Sequence, residues 1–205
     1  MAIDANGKPQ AANRNVGNLR LPPDQRAAFA QGLRYVVEFP LPPGRYQVRV
    51  GAHEAVGDAG GSAILDIDAA RLDDVPVALG AIMLTSPSAQ RVPTTGRFDG
   101  MRAVLPAPPT AARDFAAGET VTALVTAHGS EIAKGGARVA ISVSRETGEV
   151  AARSETAIER TDSAGAMLAV PLPMAGLAAG RYVVTFQVRA ASGQTATRTV
   201  PISVR

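Results

Sequence analysis

The chain has 205 residues, among them 15 prolines and 20 glycines, so it can bury one large core or two small ones built from short strands and turns. It contains no cysteine, which excludes disulfides, thiolate metal sites and a cysteine nucleophile. The formal net charge is +3, but the basic residues are mostly single arginines without a basic run, and nucleic-acid binding is therefore not predicted.

Alternation of apolar and polar residues predicts short strands in the first part of the chain. Ala2-Ile3 is typical of the end of a strand and precedes a turn at residues 4–7, so we expect the first module to lack its opening strands in this sequence. The following predicted elements are strands at 16–21, 33–39, 46–50 and 62–68, and a helical turn at 24–31 with Asp24 as its cap. In the last of these strands Ala63, Leu65 and Ile67 are predicted to face inward.

One motif occurs twice, as Leu41-Pro42-Pro43-Gly44-Arg45-Tyr46 and as Leu177-Ala178-Ala179-Gly180-Arg181-Tyr182. A leucine, a bend containing glycine and a tyrosine two residues later is the pattern of a tyrosine corner. In that motif the ring packs in the core and the hydroxyl bonds to the backbone of the bend. Gly44 and Gly180 can adopt the positive φ that such a bend requires. The repeat predicts two β-sandwich modules.

Residues 77–84 are expected to add one more strand at the edge of the first module. They belong to the longest apolar run, residues 75–84, which is interrupted by Pro76 and Gly80 and is too short to span a bilayer. Residues 85–109 are rich in proline, and Leu105–Pro109 is predicted to be extended and stiff. Beyond it, alternating runs and regular turns predict about seven strands, which is typical of an immunoglobulin-like or fibronectin-III-like sandwich.

The sequence therefore predicts an all-β chain of two sandwiches joined by a Pro-rich linker. The predicted domains are 1–85, an Ig-like sandwich that is N-terminally truncated in this sequence; 86–109, the linker; and 110–205, a second Ig-like sandwich.

Three stretches resemble the C-terminal half of bacterial proteins called VWFA-related, which are common in Acidobacteria. They are Asp4-Ala5-Asn6-Gly7-Lys8, Pro42-Pro43-Gly44-Arg45-Tyr46-Gln47-Val48-Arg49-Val50, and residues 104–119, Val-Leu-Pro-Ala-Pro-Pro-Thr-Ala-Ala-Arg-Asp-Phe-Ala-Ala-Gly-Glu. In that family a von Willebrand factor A-like domain precedes tandem β-sandwiches. The A domain's Asp-x-Ser-x-Ser metal motif is absent here, so the resemblance brings no metal or catalytic residue. It implies an exported or envelope-associated part of a larger chain that makes protein contacts.

Histidine occurs only as His53 and His128. They lie in different predicted modules, and neither has a helical histidine partner, which argues against a shared metal site. His128 and Ser130 would need an orienting acid and an oxyanion hole to act as a nucleophile pair, and no Gly-x-Ser-x-Gly motif is present. We predict no catalytic, cofactor-binding or metal residue and interpret the chain as a non-enzyme.

Carboxylates offer the best alternative to that interpretation, since Ca²⁺ prefers carboxylate oxygens. The candidates are Asp66, Asp68, Asp73 and Asp74. Alternation accounts for the first two as the solvent side of a strand, and the last two lie in a predicted turn. Asp4-x-Asn6-Gly7 begins like an EF-hand loop but lacks the later ligands, so it is interpreted as a turn.

The predicted function is that of a non-catalytic spacer or protein-interaction region of a periplasmic, envelope or secreted bacterial protein, without nucleic-acid binding or direct membrane insertion. The alternative is an envelope carbohydrate-binding module, although the chain has no tryptophan on which a sugar could stack. A protein partner is expected at an open sheet edge of the first module, unless residues 77–84 or 19–21 cover that edge.

Overall fold

The computed structural model describes residues 1–17, 23, 26–29, 32–55, 57–72, 75–96, 99–159, 161 and 165–205. Within these ranges the strands are β1 (Ala2–Asp4), β2 (Pro9–Ala11), β3 (Arg34–Val36), β4 (Gly44–His53), β5 (Gly60–Ala69), β6 (Ala78–Leu79), β7 (Met83–Thr85), β8 (Thr94–Gly96), β9 (Asp114–Phe115), β10 (Thr122–His128), β11 (Arg138–Arg145), β12 (Val150–Ala157), β13 (Ala166–Pro171), β14 (Gly180–Arg189) and β15 (Thr195–Val204). The helices are single turns: α1 (Arg26–Phe29), α2 (Pro87–Gln90), α3 (Asp99–Arg102) and α4 (Ser130–Ala133). The predicted all-β fold class is confirmed.

The C-terminal part of the chain is a two-sheet sandwich. One sheet has the order β12-β11-β14-β15-β9, and the other contains β13, β10 and two short strands, β6 and β7, that both pair with β10. Alternate residues of each strand point between the sheets, as a period of two requires. Val125 and Val170 of one sheet join Ile141, Val184 and Phe186 of the other in a single apolar core.

The strand formed by β6 and β7 belongs to this sandwich, which corrects the expectation that residues 77–84 extend the first module. The two short strands pair antiparallel with opposite ends of β10, and Gly80 between them donates its N–H to the carbonyl of Thr126. A side chain at Gly80 would collide with Thr126, since a Cβ would lie 2.1 Å from its Oγ1. The glycine that interrupts the apolar run thus permits close pairing with β10.

Residues 101–105 pack on the outer side of β10, whereas residues 86–109 were expected to form an extended spacer. Met101 and Leu105 bury Leu124 of β10, and Val36 packs against the same cluster. The hydroxyl of Thr85 also donates to the carbonyl of Pro108 at 2.9 Å. Leu124 points away from the core between the two sheets, yet it is fully buried, because the apolar residues of the Pro-rich segment cover it. The division of the chain at residues 85 and 109 stays a prediction.

The N-terminal part contributes one four-stranded antiparallel sheet with the order β2-β1-β4-β5. A second, two-stranded sheet pairs β3 with β8 in parallel and so ties residues 34–36 to the segment that follows α2. The helical turn predicted at 24–31 appears as α1, and the strand predicted at 33–39 is the shorter β3. The proposed cap Asp24 and most of the strand predicted at 16–21 lie outside the described residues.

Candidate functional site

The N-terminal sheet repeats the pairing of four strands in the C-terminal sandwich. Strands β2-β1-β4-β5 correspond in order and orientation to β12-β11-β14-β15. Tyr46 of β4 pairs with Ile67 of β5, and Tyr182 of β14 pairs with Ile202 of β15. We call these two four-stranded units the N-terminal and C-terminal repeats. The correspondence assigns each residue of one repeat a counterpart in the other.

The turn between the first two strands of each repeat has the same hydrogen bonds. In the N-terminal repeat the N–H of Gly7 donates to the carbonyl of Asp4 at 3.0 Å, and in the C-terminal repeat Gly148 donates to Arg145 at 2.9 Å. The Asp4 carboxylate also accepts the N–H groups of Asn6 and Lys8, both at 2.9 Å. These bonds, the one from Lys8 foremost, lower the pKa of Asp4. Asp4 therefore acts as a turn-former.

Both repeated tyrosines bind the backbone of the bend that precedes them. The Tyr46 hydroxyl donates to the carbonyl of Pro42 at 2.7 Å, and the Tyr182 hydroxyl donates to that of Ala178 at 2.8 Å. Gly44 has a φ of +154°, and a Cβ there would lie 3.5 Å from the tyrosine hydroxyl. A Cβ at that distance would make an ordinary van der Waals contact with the ring, so it is the φ of Gly44 that favours glycine.

The two repeats differ in what covers their apolar side. In the C-terminal repeat this side faces β10 and β13, and Phe186 and Val200 are 0% and 8% exposed. Their counterparts in the N-terminal repeat, Val50 and Leu65, are 58% and 63% exposed. The end of the sheet nearest the bend is covered, since Tyr46 is only 6% exposed. The other end presents apolar side chains to solvent, a pattern that often marks a contact surface.

The opposite side of the N-terminal repeat carries the predicted acidic candidates together with Ile64, which is 63% exposed. Asp68 lies 4.0 Å from Arg45, and Asp66 accepts a hydrogen bond of 3.3 Å from Gln47. All these side chains belong to β4 and β5 and face solvent together with Arg49. Their alternation with Leu65 and Ile67, which lie on the other side of β5, agrees with the strand interpretation of the two aspartates. Asp73 and Asp74 lie outside the described residues.

The structure does not bring the two histidines into one site. His53 ends β4 and lies 3.0 Å from Asp58 in the exposed hairpin loop. His128 ends β10 in the C-terminal sandwich, two residues before Ser130 at the start of α4. The described residues contain no group of three or more His, Asp or Glu side chains positioned to hold a metal ion.

Glu119 is a polar contact that the sequence did not reveal. Its Oε1 accepts the N–H of Ser88 in α2 at 3.1 Å, and its Oε2 accepts the N–H of Ala116 at 3.1 Å. Burial by itself raises the pKa of Glu119, but hydrogen bonds from Ser88, Ser86 and the backbone outweigh it and lower the pKa to about 2. The carboxylate thus fastens residues 86–88 to the turn before β10. Only three-dimensional proximity identifies this contact, because Ser88 lies 31 residues upstream of Glu119.

Two further findings bear on glycan and membrane binding. Among the described residues, Tyr35 is the one aromatic side chain that is largely exposed, at 43%. A sugar-binding face usually offers several stacking rings. The helices within the described ranges are too short to cross a membrane.

No family model matches this chain, and no curated protein matches it. Solved structures give distant likenesses. CopC from Methylosinus trichosporium OB3b is 22% identical, with a TM-score of 0.29 over 46% of this chain and 84% of that one. A β-glucuronidase from Bifidobacterium dentium, complexed with coumarin-3-O-glucuronide, is 18% identical, with a TM-score of 0.34 over 69% of this chain and 19% of that one. At these scores neither likeness supports an inference about function.

Proposed function

We propose that the chain is a non-catalytic protein-interaction region in which the N-terminal repeat is the contact element. The observation that carries this proposal is the exposure of Val50 and Leu65, at 58% and 63%, on a side whose counterparts Phe186 and Val200 are buried. Apolar side chains on one side of a regular sheet gain most from a partner that removes them from water. We interpret Tyr46 and Tyr182 as tyrosine corners that hold the bend before the third strand of each repeat.

The proposal is tested by photo-crosslinking in cells of the source organism. A photoreactive phenylalanine analogue replaces Leu65 on the exposed apolar side or, as a control, Thr199 on the solvent side of β15. We expect a discrete crosslinked product from position 65 that is absent from position 199. Equal labelling from both positions, or none from position 65, would contradict the proposed contact element.

The proposed location is the periplasm, the envelope or the extracellular space. The support is the resemblance to VWFA-related proteins, in which sandwiches of this kind follow an exported domain. An antibody against residues 110–205 should detect its antigen in the envelope or secreted fraction of the source organism. A cytoplasmic band at 21.0 kDa would refute both the location and the resemblance.

A further inference from the structure

The outer edge of β5 is unpaired over its whole length among the described residues. β5 is the last strand of its sheet, and its pairing with β4 extends from Gly60 to Ala69. Arg49 of β4 exchanges backbone hydrogen bonds with Met1, which precedes β1. Because the backbone groups of successive residues point to opposite edges of a strand, the residues of β4 that alternate with Arg49, such as Val48 and Val50, bond to β5. The backbone groups of β5 that point away from β4 are therefore those of Ser62, Ile64, Asp66 and Asp68.

The last four residues of the equivalent edge in the C-terminal repeat are closed in two ways. Its last two residues pair in parallel with β9, and the N–H of Ser203 donates to the carbonyl of Arg113 at 2.8 Å. Two residues earlier lies Pro201, which pairs with Val183 and has no N–H to offer at the edge. The counterpart of Pro201 in the N-terminal repeat is Asp66, which pairs with Gln47 and retains its N–H. Proline on an edge strand is a common protection against added strands, and β5 lacks it.

The charge along this edge indicates what kind of strand it fits. Asp66 and Asp68 project to one side of β5, while Leu65 and Ile67 project to the other. The contact of Asp68 with Arg45 is loose, at 4.0 Å, with the two side chains 71% and 85% exposed. A second copy of β5 paired antiparallel at this edge would bring like charges together, which is unfavourable. A strand with basic residues on one side and apolar residues on the other would contact the aspartates on the first side and extend the apolar surface on the second.

The size of the exposed side favours a strand over a second folded surface. Two strands of ten residues, at about 3.3 Å per residue and about 4.8 Å spacing, present roughly 300 Å² of sheet. Contact of two such faces stays well below the roughly 1,200 Å² of total buried area that stable interfaces need. An added strand gains main-chain hydrogen bonds as well as side-chain contacts. The edge and the apolar side thus act together.

We propose that the outer edge of β5 binds an extended segment of another polypeptide in which Lys or Arg alternates with apolar residues. The basic side chains contact Asp66 and Asp68, and the apolar side chains extend the surface of Leu65 and Ile67. This inference rests on the proposed role as an interaction region and names the chemistry of the partner. The chain itself offers a suitable probe, because β4 alternates Arg45, Gln47 and Arg49 with apolar residues and already pairs with β5.

The test titrates a synthetic peptide with the sequence of residues 44–51 into the ¹⁵N-labelled full chain. We expect saturable shifts of the amide signals of Ser62, Ile64, Asp66 and Asp68, and weaker binding at high salt because the contacts are charged. The variant Asp66→Pro reproduces the closed edge of the C-terminal repeat, and Pro201 indicates that the fold tolerates proline there. It should weaken peptide binding at least about tenfold.

Three controls separate the edge from general attraction. Asp66→Asn keeps the N–H and should bind more tightly than Asp66→Pro but with less salt dependence. A peptide with glutamate in both arginine positions should not bind. A peptide N-methylated at alternate residues should not bind either, because it cannot donate main-chain hydrogen bonds to the edge. The N-methylated peptide tests the role of the edge if Asp66→Pro fails to fold. Unchanged binding to Asp66→Pro, equal binding of the charge-reversed or N-methylated peptide, no binding to the unmodified chain, or self-association through β5 would overturn the inference. If the crosslink from position 65 persists in Asp66→Pro, the proposed function stands but the inference about the edge of β5 does not.

Discussion

The repeat provides a matched pair of substitutions, Leu65→Ala and Val200→Ala, that tests whether the apolar side of the N-terminal repeat is uncovered in solution. The two residues occupy equivalent positions in β5 and β15, but they are 63% and 8% exposed. Removing two methyl groups from buried Val200 should cost about 2–3 kcal/mol, which combines the lost transfer free energy with a cavity. Leu65 has removed only about a third of its surface from water, so the larger truncation should cost about 0.5–1 kcal/mol.

The assay is amide hydrogen exchange, which gives a separate opening free energy for each sheet. Protection of the β14–β15 amides should fall strongly in Val200→Ala, whereas protection of β4–β5 should change little in Leu65→Ala. The measurement is made at low and high protein concentration, because self-association would cover the exposed side. A loss in Leu65→Ala as large as that in Val200→Ala at low concentration would refute the assignment of an uncovered face.

Three other predictions concern the supports of the fold. Tyr182→Phe should lower the free energy of unfolding by about 1–2 kcal/mol, because the carbonyl of Ala178 loses its hydrogen bond; an unchanged urea midpoint would contradict this. The pKa of Glu119 is about 2 in the folded chain and 4.5 ordinarily, so its ionised carboxylate stabilises the fold at pH values above 4.5. This stabilisation is lost as the pH falls through about 2. Glu119→Gln should therefore flatten the pH dependence of the urea midpoint between those values. Gly165→Ala should lower the free energy of unfolding by about 2–3 kcal/mol, because φ is +124° and the Cβ would lie 2.1 Å from a carbonyl oxygen of β10. Gly176 has a φ of +76° with open space around it, so the control Gly176→Ala should lower it by only about 1 kcal/mol. Thermal unfolding measures both.

Much of the secondary structure could be predicted from the sequence because the strands alternate regularly. The strands after residue 110 and the turns at Gly7, Gly148 and Gly193 follow directly from that alternation and from glycines with positive φ. The repeated Gly-Arg-Tyr motif also located the hydroxyl bonds of both tyrosines. These features depend on residues close together in the sequence, where a local pattern is sufficient.

Pairing between distant strands could not be predicted in the same way. Residues 77–85 have the composition of an edge strand, but nothing in them indicates whether the edge belongs to β5 or to β10. The deciding features are the close approach at Gly80 and the burial of Leu84 against the C-terminal core. The contact of Glu119 with Ser88 likewise joins segments whose proximity arises only after this pairing. Tertiary contacts of this kind leave no local periodicity.

Alternation also cannot tell whether a side that is apolar has a partner. Ala63, Leu65 and Ile67 were predicted to face inward, and they do share one side of β5, but Leu65 is 63% exposed. A period of two assigns side chains to the same side of a strand and contains no information about a second sheet. The signal that could have found this difference is the comparison of the two repeats residue by residue. When Ile67 and Ile202, the strand partners of the two tyrosines, are placed opposite each other, Pro201 corresponds to Asp66, and the edge that proline protects in β15 is left open in β5.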